Sequence, residues 1–358
     1  MEKSKRRLVR LAIIGTGGMA RTHAKSFQAI RGAKLVAIAE PDIGRRTAFA
    51  LEFGVPAAFA STRELLARAD FDAVSIVTPD AFHAETSIAC LRAGKHVLCE
   101  KPLALNHRDA LRMVKAARAA GTINMVNFSY RNWPCIHAVA ELIARGDLGT
   151  IVHVEANYLQ TWLTSKVWGD WHTTPAWLWR LSKRHGSNGV LGDIGVHIVD
   201  FATYPVGGIR KVYAQLKAFP KAPRDRIGEY VLDANDSAVL NVEFANGALG
   251  TIHTTRWSSG HANRLFLKIS GTKGAVEIDS ERSVDSFRLC AGKDLDAVKW
   301  TEVKAKPTPN IYQRFITSIR TGRQDQPDFA RGAAVQQVLD ACFASDAADR
   351  PVRLKARR

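Results

Sequence analysis

The first apolar run of the chain, Leu8-Val9-Arg10-Leu11-Ala12-Ile13-Ile14, ends in Gly15-Thr16-Gly17-Gly18-Met19-Ala20. Leu8–Ile14 has the length of one buried strand. The pattern Gly15-x-Gly17-x-x-Ala20 puts small residues where the backbone must turn tightly, approach a pyrophosphate and pack a helix against the strand. The N-terminus of that helix then faces the negative charge. A second apolar run, Lys34–Ala39, is followed at once by Glu40. An acid about 20 residues beyond the glycine turn is placed to accept from an adenosine ribose 2′-hydroxyl.

The same alternation continues to about residue 128. Asp72–Thr78, His96–Cys99 and Ile123–Phe128 read as buried strands, and Pro79 stops the first of them. Ser61-x-x-Glu64 is a capping box ahead of Leu65 and Leu66. Asn106–Ala120 is helical, with Ala110, Leu111, Val114 and Ala117 on one face. Strands separated by helices imply βαβ units and a parallel sheet.

Beyond residue 128 the pattern changes. Cys135–Arg145 and Gly189–Tyr204 read as helices, and Ile151–Tyr158 alternates as a half-exposed strand does. Val212–Lys217, Ser237–Phe244, Leu249–Thr255, Leu265–Ser270 and Ala275–Ile278 follow as strands. Asn246-Gly247 and Gly271-Thr272-Lys273-Gly274 separate some of them as hairpin turns. A mostly antiparallel sheet with helices on one face is expected. Residues 310–321 and 331–348 read as closing helices, and 219–229 and 304–310 as loops. The expected fold is α/β, with one domain over 1–128 and a second over 129–358.

Size and composition fit two folded domains: 358 residues, 46% hydrophobic and 24% charged. The net charge of +17 raises the question of an anionic partner. Much of it is terminal, with five basic residues and one acid in 1–10 and four basic residues in 351–358. Such ends are expected to fray. No helix-turn-helix, zinc or single-strand-binding motif supports nucleic-acid binding. No apolar stretch is long enough to span a membrane. No export signal follows the basic start. Five scattered cysteines without a C-x-x-C pair read as reduced, cytoplasmic thiols.

Glu40 favours NAD, because a carboxylate accepts from a 2′-hydroxyl and repels a 2′-phosphate. Arg45 and Arg46 leave NADP as the alternative cofactor. Glu100-Lys101-Pro102 directly follows the strand His96–Cys99. Ligands of open α/β sheets bind at the carboxyl ends of strands, which puts Lys101 near the reactive end of the cofactor.

Taken together, Gly15–Ala20, Pro79-Asp80-Ala81-Phe82-His83, Gly94–Ala104 and Gly192-Asp193-Ile194-Gly195-Val196-His197-Ile198-Val199-Asp200 resemble the Gfo/Idh/MocA oxidoreductases. The resemblance covers nearly the whole chain. It implies an N-terminal Rossmann domain, a C-terminal α/β domain with a large open sheet, and NAD(P)-linked sugar or polyol chemistry. It implies a homodimer or homotetramer formed through that sheet. The family pattern puts the catalytic lysine at Lys101 and the Asp/His pair at Asp193 and His197, as in the inositol-dehydrogenase-like branch.

The residues themselves agree. Asp193 and His197 are four apart on a predicted helix and share a face. Alcohol oxidation needs a base for the hydroxyl proton, which an imidazole supplies near neutral pH. Asp193 would accept from substrate hydroxyls or orient the imidazole, and Lys101 would stabilise a developing alkoxide. Residues expected at the cofactor are Gly15, Thr16, Gly17, Gly18, Met19, Ala20, Glu40, Arg45, Thr78, Pro79, His83, Glu100 and Lys101. His83 alternatively caps the following helix. Residues expected at the substrate are Lys101, Arg131, Trp168, Trp171, Asp193 and His197, with an interdomain salt bridge as the other reading of Arg131. No metal site is expected.

Trp162, Trp168, Trp171, Trp177 and Trp179 crowd the segment before Asp193. Indole faces suit the C–H faces of sugar rings, and they equally suit a core. Two other readings stay open: glycoside cleavage by transient oxidation with retained NAD, and a non-catalytic NAD-binding regulator.

Overall fold

A computed structural model describes residues 8–354; the basic residues 1–7 and 355–358 lie outside the described residues. The chain divides into two compact units. The first takes in the chain up to Ser129 together with Pro309–Gln336, and the second Tyr130–Thr308 with the chain from Gln337 onward.

The first unit alternates β1 (Val9–Ile14), α1 (Gly18–Gln28), β2 (Ala33–Ala39), α2 (Ile43–Phe53), β3 (Ala57–Phe59) and α3 (Thr62–Arg68). It continues through β4 (Ala73–Ile76), α4 (His83–Arg92), β5 (His96–Cys99), α5 (His107–Ala120) and β6 (Asn124–Val126). All six strands are parallel, in the order β3-β2-β1-β4-β5-β6. The order reverses beside β1, so the glycine turn after β1 opens at the switch point where doubly wound sheets bind ligands. Ser61 caps α3 by accepting from the Glu64 N–H, while the Glu64 carboxylate reaches the Ala60 N–H. Asn106 caps α5 through the Asp109 N–H.

The second unit carries α6 (Pro134–Ala144), β7 (Ile151–Gln160), the short α7 (Pro175–Leu178) and α8 (Val196–Val206). Its strands continue as β8 (Ile209–Lys217), β9 (Arg226–Ile227), β10 (Tyr230–Val231), β11 (Ser237–Phe244), β12 (Leu249–Thr255), β13 (Asn263–Gly271) and β14 (Gly274–Asp279). They end with β15 (Ser286–Ala291), β16 (Thr301–Lys304) and β17 (Val352–Arg353). Nine form one open sheet, β16-β15-β14-β13-β7-β12-β11-β8-β17, antiparallel except for the β7–β12 pair. Residues 219–229 are not all loop, because β9 lies there and pairs with β10 just beyond it. β15 and β16 extend the sheet beyond the expected strands.

Two late helices, α9 (Ile311–Thr321) and α10 (Phe329–Ala348), close the chain. The expected second domain over 129–358 is interrupted, because Pro309–Gln336 returns to the first unit. There Ile311, Tyr312, Phe315 and Ile316 of α9 join the core of Val9, Leu11, Phe27 and Met125. Burial of an apolar side chain of this size contributes roughly 1.5–3 kcal/mol, which favours docking α9 on this core.

Candidate active site

Gly15 adopts φ +88°, and a Cβ there would lie 2.6 Å from the Val77 carbonyl oxygen. Only glycine fits. At Gly17 and Gly18 a Cβ would meet nothing of the protein within 4 Å. Space is thus kept directly over the start of α1, whose N-cap residue Gly17 makes no side-chain cap. Free N–H groups at a helix N-terminus attract anions. Ala20 is buried against the sheet, while Met19 is exposed.

Glu40 lies beneath this turn. Its Oε2 accepts from the Thr16 N–H and the Thr16 hydroxyl, both at 3.0 Å. Its Oε1 accepts from the Asp42 N–H at 3.2 Å and from Arg45 Nη2 at 2.9 Å. Burial works to raise its pKa, but the Asp42 and Thr16 donors and the Arg45 charge outweigh it, and the carboxyl sits below the usual range. Arg46 Nη1 donates to the Glu40 carbonyl at 2.6 Å. Thr78 Oγ1, one residue beyond the Val77 carbonyl that faces Gly15, is buried without a hydrogen-bond partner among the described residues. These residues fit a dinucleotide.

Glu100 and His83 were expected to meet the cofactor, but both side chains turn inward. The Glu100 Oε1 lies 2.7 Å from His23 Nε2, accepts from Asn127 Nδ2, and is flanked by the Tyr312 hydroxyl, to which Asn127 also donates at 3.2 Å. Its Oε2 accepts from the Lys101 N–H at 3.1 Å. His83 begins α4 without capping it. Its Nδ1 lies 2.8 Å from the Pro102 carbonyl and its Nε2 2.9 Å from the Thr78 carbonyl. Carbonyls only accept, so both nitrogens donate and the ring is an imidazolium. Burial opposes that charge, but Cys99, Asp80 and the Pro102 carbonyl push its pKa up to about 10. Through these bonds the loops carrying Thr78 and Lys101 are tied from within.

In the second unit, Leu191–Gly195 forms a π-helical turn that leads into α8. It holds Asp193, and His197 follows in the first turn of α8, so the pair does not ride on one regular α-helix. Widened turns of this kind recur at functional sites. A Cβ at Gly192 would lie 2.3 Å from the Asn188 Cβ, so glycine is required there. Asn235 holds the turn by accepting from the Leu191 N–H at 3.1 Å and, through its carbonyl, from the Val190 N–H at 2.7 Å.

His197 is nearly buried, with its ring edge-on to Tyr130 at 4.8 Å between centroids. The Tyr130 hydroxyl bonds the Tyr158 hydroxyl, which donates to Asn263 Oδ1 at 2.8 Å. Gln160 Nε2 donates to the same oxygen at 2.9 Å, and Trp162 Nε1 donates to Gln160 Oε1 at 3.1 Å. Asp193 Oδ2 accepts from Arg256 Nη2 at 2.9 Å and lies 3.7 Å from Arg180 Nε. Tyr158, Gln160, Asn263 and Arg256 escape the sequence reading. Their one signal is a polar residue at the end of an apolar alternation.

Arg131 is corrected. Its guanidinium is buried in a two-pronged pair with Asp200, at 2.6 and 2.8 Å, and sits 3.5 Å from the centre of the Tyr204 ring. It is committed inside the second unit. Trp171 is corrected too: it is buried, and its Nε1 donates to the Leu163 carbonyl at 3.3 Å. Trp168 is partly buried and stacks on Trp177 at 6.0 Å.

A parallel sheet with its glycine turn at the switch point, and a buried ionised acid beneath that turn, define a dinucleotide-binding Rossmann protein. The comparisons narrow the class. Residues 9–128 match the NAD-binding Rossmann domain of the Gfo/Idh/MocA oxidoreductases, and residues 136–277 match a C-terminal domain of the same family. The chain belongs to that family. It is 30% identical over 310 residues to levoglucosan dehydrogenase from Pseudarthrobacter phenanthrenivorans, covering 79% of this chain and 76% of the relative. It is 29% identical over 276 residues to myo-inositol 2-dehydrogenase from Thermotoga maritima, covering 76% of each. A levoglucosan dehydrogenase solved with NADH and levoglucosan superposes with a TM-score of 0.86 at 28% identity, over 97% of this chain and all of that one. No helix of the described residues is long and apolar enough to cross a membrane.

Proposed function

We propose that this protein is an NAD-dependent dehydrogenase of a sugar, anhydrosugar or cyclic polyol, with Lys101, Asp193 and His197 as its catalytic residues. The observation that carries the reading is the Asp193/His197 pair, one on the widened turn and the other in the first turn of the helix it leads into, in a chain whose other unit is built for NAD. Bound NAD supplies the hydride acceptor. His197 takes the hydroxyl proton of the substrate, and Asp193 accepts a hydrogen bond from a substrate hydroxyl. Lys101 stabilises the developing alkoxide with its ammonium.

Similarity to levoglucosan and inositol dehydrogenases supports a ring-shaped polyhydroxylated substrate. Trp168 offers an indole face to such a ring. Self-association through the outward face of the nine-stranded sheet follows from the family resemblance. Partly exposed Phe266 and exposed Val239 on that face support it. All five cysteines are buried free thiols, which supports a reducing, cytoplasmic setting.

The test is NADH fluorescence with NAD or NADP against anhydrosugars, inositols, monosaccharides and sugar acids. Net NADH from at least one sugar or cyclic polyol is expected. Glycoside cleavage without net NADH would mean the transient-oxidation reaction instead, and NAD binding with no turnover would mean a regulator.

A further inference from the structure

We propose that Arg256, with Arg180 beside it, is a positioning residue that fixes Asp193 as an anionic hydrogen-bond acceptor and so leaves proton removal to His197. The inference rests on the sugar-dehydrogenase reading and assigns a division of labour within it.

Arg256 follows β12 directly, and its side chain is fully buried. Nη2 donates to Asp193 Oδ2 at 2.9 Å, and Nη1 donates to the Arg180 carbonyl at 3.1 Å. One rigid fork thus ties the π turn carrying Asp193 to the short helical turn Trp179–Leu181. Its guanidinium carbon sits 4.9 Å from the centre of the Trp162 ring, which fixes its plane. Arg180 brings a second guanidinium to the same carboxylate oxygen, supported over Trp177 and Trp179 at 5.2 and 4.6 Å.

The neighbouring charges leave Asp193 as the counter-ion. Asp236, the other anion acting on Arg256, is already paired with buried Lys221 at 2.9 Å. Tyr158 faces the same region as a neutral phenol, since burial, Tyr130 and Asp193 all push its pKa well above 10. Burial lowers the Arg256 pKa, yet a guanidinium keeps its proton throughout the working range. A proton placed on Asp193 would forfeit its attraction to two fixed cations. Its carboxylate is therefore a poor base and a strong, well-aimed acceptor. A lysine at position 256 would supply charge but could not span both acceptors with a planar fork.

The experiment compares wild type with Arg256→Lys, Arg256→Met and Arg180→Gln, using NAD and a sugar that the wild type oxidises. Rates are measured from about pH 5 to about pH 9, with NADH affinity and circular dichroism alongside. Arg256→Lys is expected to lower kcat/KM for the sugar at least tenfold, with NADH affinity within twofold and the acid limb of the profile in place. Arg256→Met and Arg180→Gln are expected to move that limb to higher pH, because losing a cation from the site lets both the His197 base and the Asp193 carboxylate protonate more readily. Arg180 is a third exposed, so its variant decides the matter even if Arg256→Met fails to fold. Folded Arg256→Lys and Arg180→Gln enzymes with sugar kcat/KM within twofold of wild type and an unmoved acid limb overturn the proposal alone. A wild type that oxidises no sugar overturns the functional reading and this proposal with it.

Discussion

The His23 imidazole and the Glu100 carboxylate meet 2.7 Å apart in the interior of the first unit, linking α1 to the loop that carries Lys101. Burial disfavours the Glu100 charge, but His23, Asn127 and Lys101 reverse that effect and hold its pKa at about 2, against an ordinary 4.5. A depressed carboxylate pKa stabilises the fold above the unfolded value and loses that contribution as pH falls through the folded one. The unfolding free energy of the wild type, read from urea curves, should therefore drop between about pH 4.5 and pH 2, by on the order of 3 kcal/mol. Glu100→Gln should be less stable at neutral pH and show a flatter acid slope. Equal slopes in the two proteins would mean that the pair is not coupled to folding.

Gly15 and Gly17 should separate folding from cofactor binding. Gly15→Ala places a methyl against the Val77 carbonyl at positive φ, and is expected to cost roughly 1–3 kcal/mol along with NAD affinity. Gly17→Ala meets no protein atom, so its melting temperature should stay near wild type while NADH affinity falls at least tenfold. The second variant is the decisive one: unchanged NADH binding there would show that the space over α1 is not where the pyrophosphate lies.

Lys101→Ala and His197→Ala should each reduce kcat by at least about 10²-fold while NADH still binds. His197→Ala should also flatten the pH dependence of kcat/KM around neutrality. Wild-type turnover in both variants would end their assignment.

Glu40 is the residue we propose to set the cofactor preference. Its ionised carboxylate lies under the turn and holds Arg45, and a 2′-phosphate would bring further negative charge against it. kcat/KM should favour NAD over NADP. Glu40→Ser would free Arg45 and leave Arg46 to pair with a phosphate, raising the NADP/NAD ratio at least tenfold. A wild type preferring NADP would contradict this account.

The dinucleotide half was legible because its signals are local: an apolar run, three small residues, and an acid at fixed spacing. Asp193 and His197 were equally visible as types, but the π turn that carries Asp193 was not. Helical periodicity cannot register an extra residue whose place is set by Asn235, more than forty positions away. Arg256, Gln160 and Asn263 converge only through the register of β7, β12 and β13. The return of α9 was hidden for a related reason. Its amphipathic pattern announces a buried face but not which core takes it.

Arg131 and Asp200 provide a test of stability rather than of substrate binding. The pair is buried and doubly hydrogen-bonded, so its two charges compensate each other after a large desolvation cost. Arg131→Met takes the guanidinium away from a buried carboxylate and is expected to cost roughly 3–5 kcal/mol. Asp200→Leu should be costly in the same way, since it strands the arginine. The double variant should recover much of the loss, because apolar side chains of similar volume can replace a buried ion pair. Urea unfolding of the four proteins gives the coupling directly. If Arg131 instead contacted the substrate, the double variant would regain stability but keep a raised KM for the sugar. A KM restored along with stability places the arginine in the scaffold beneath His197.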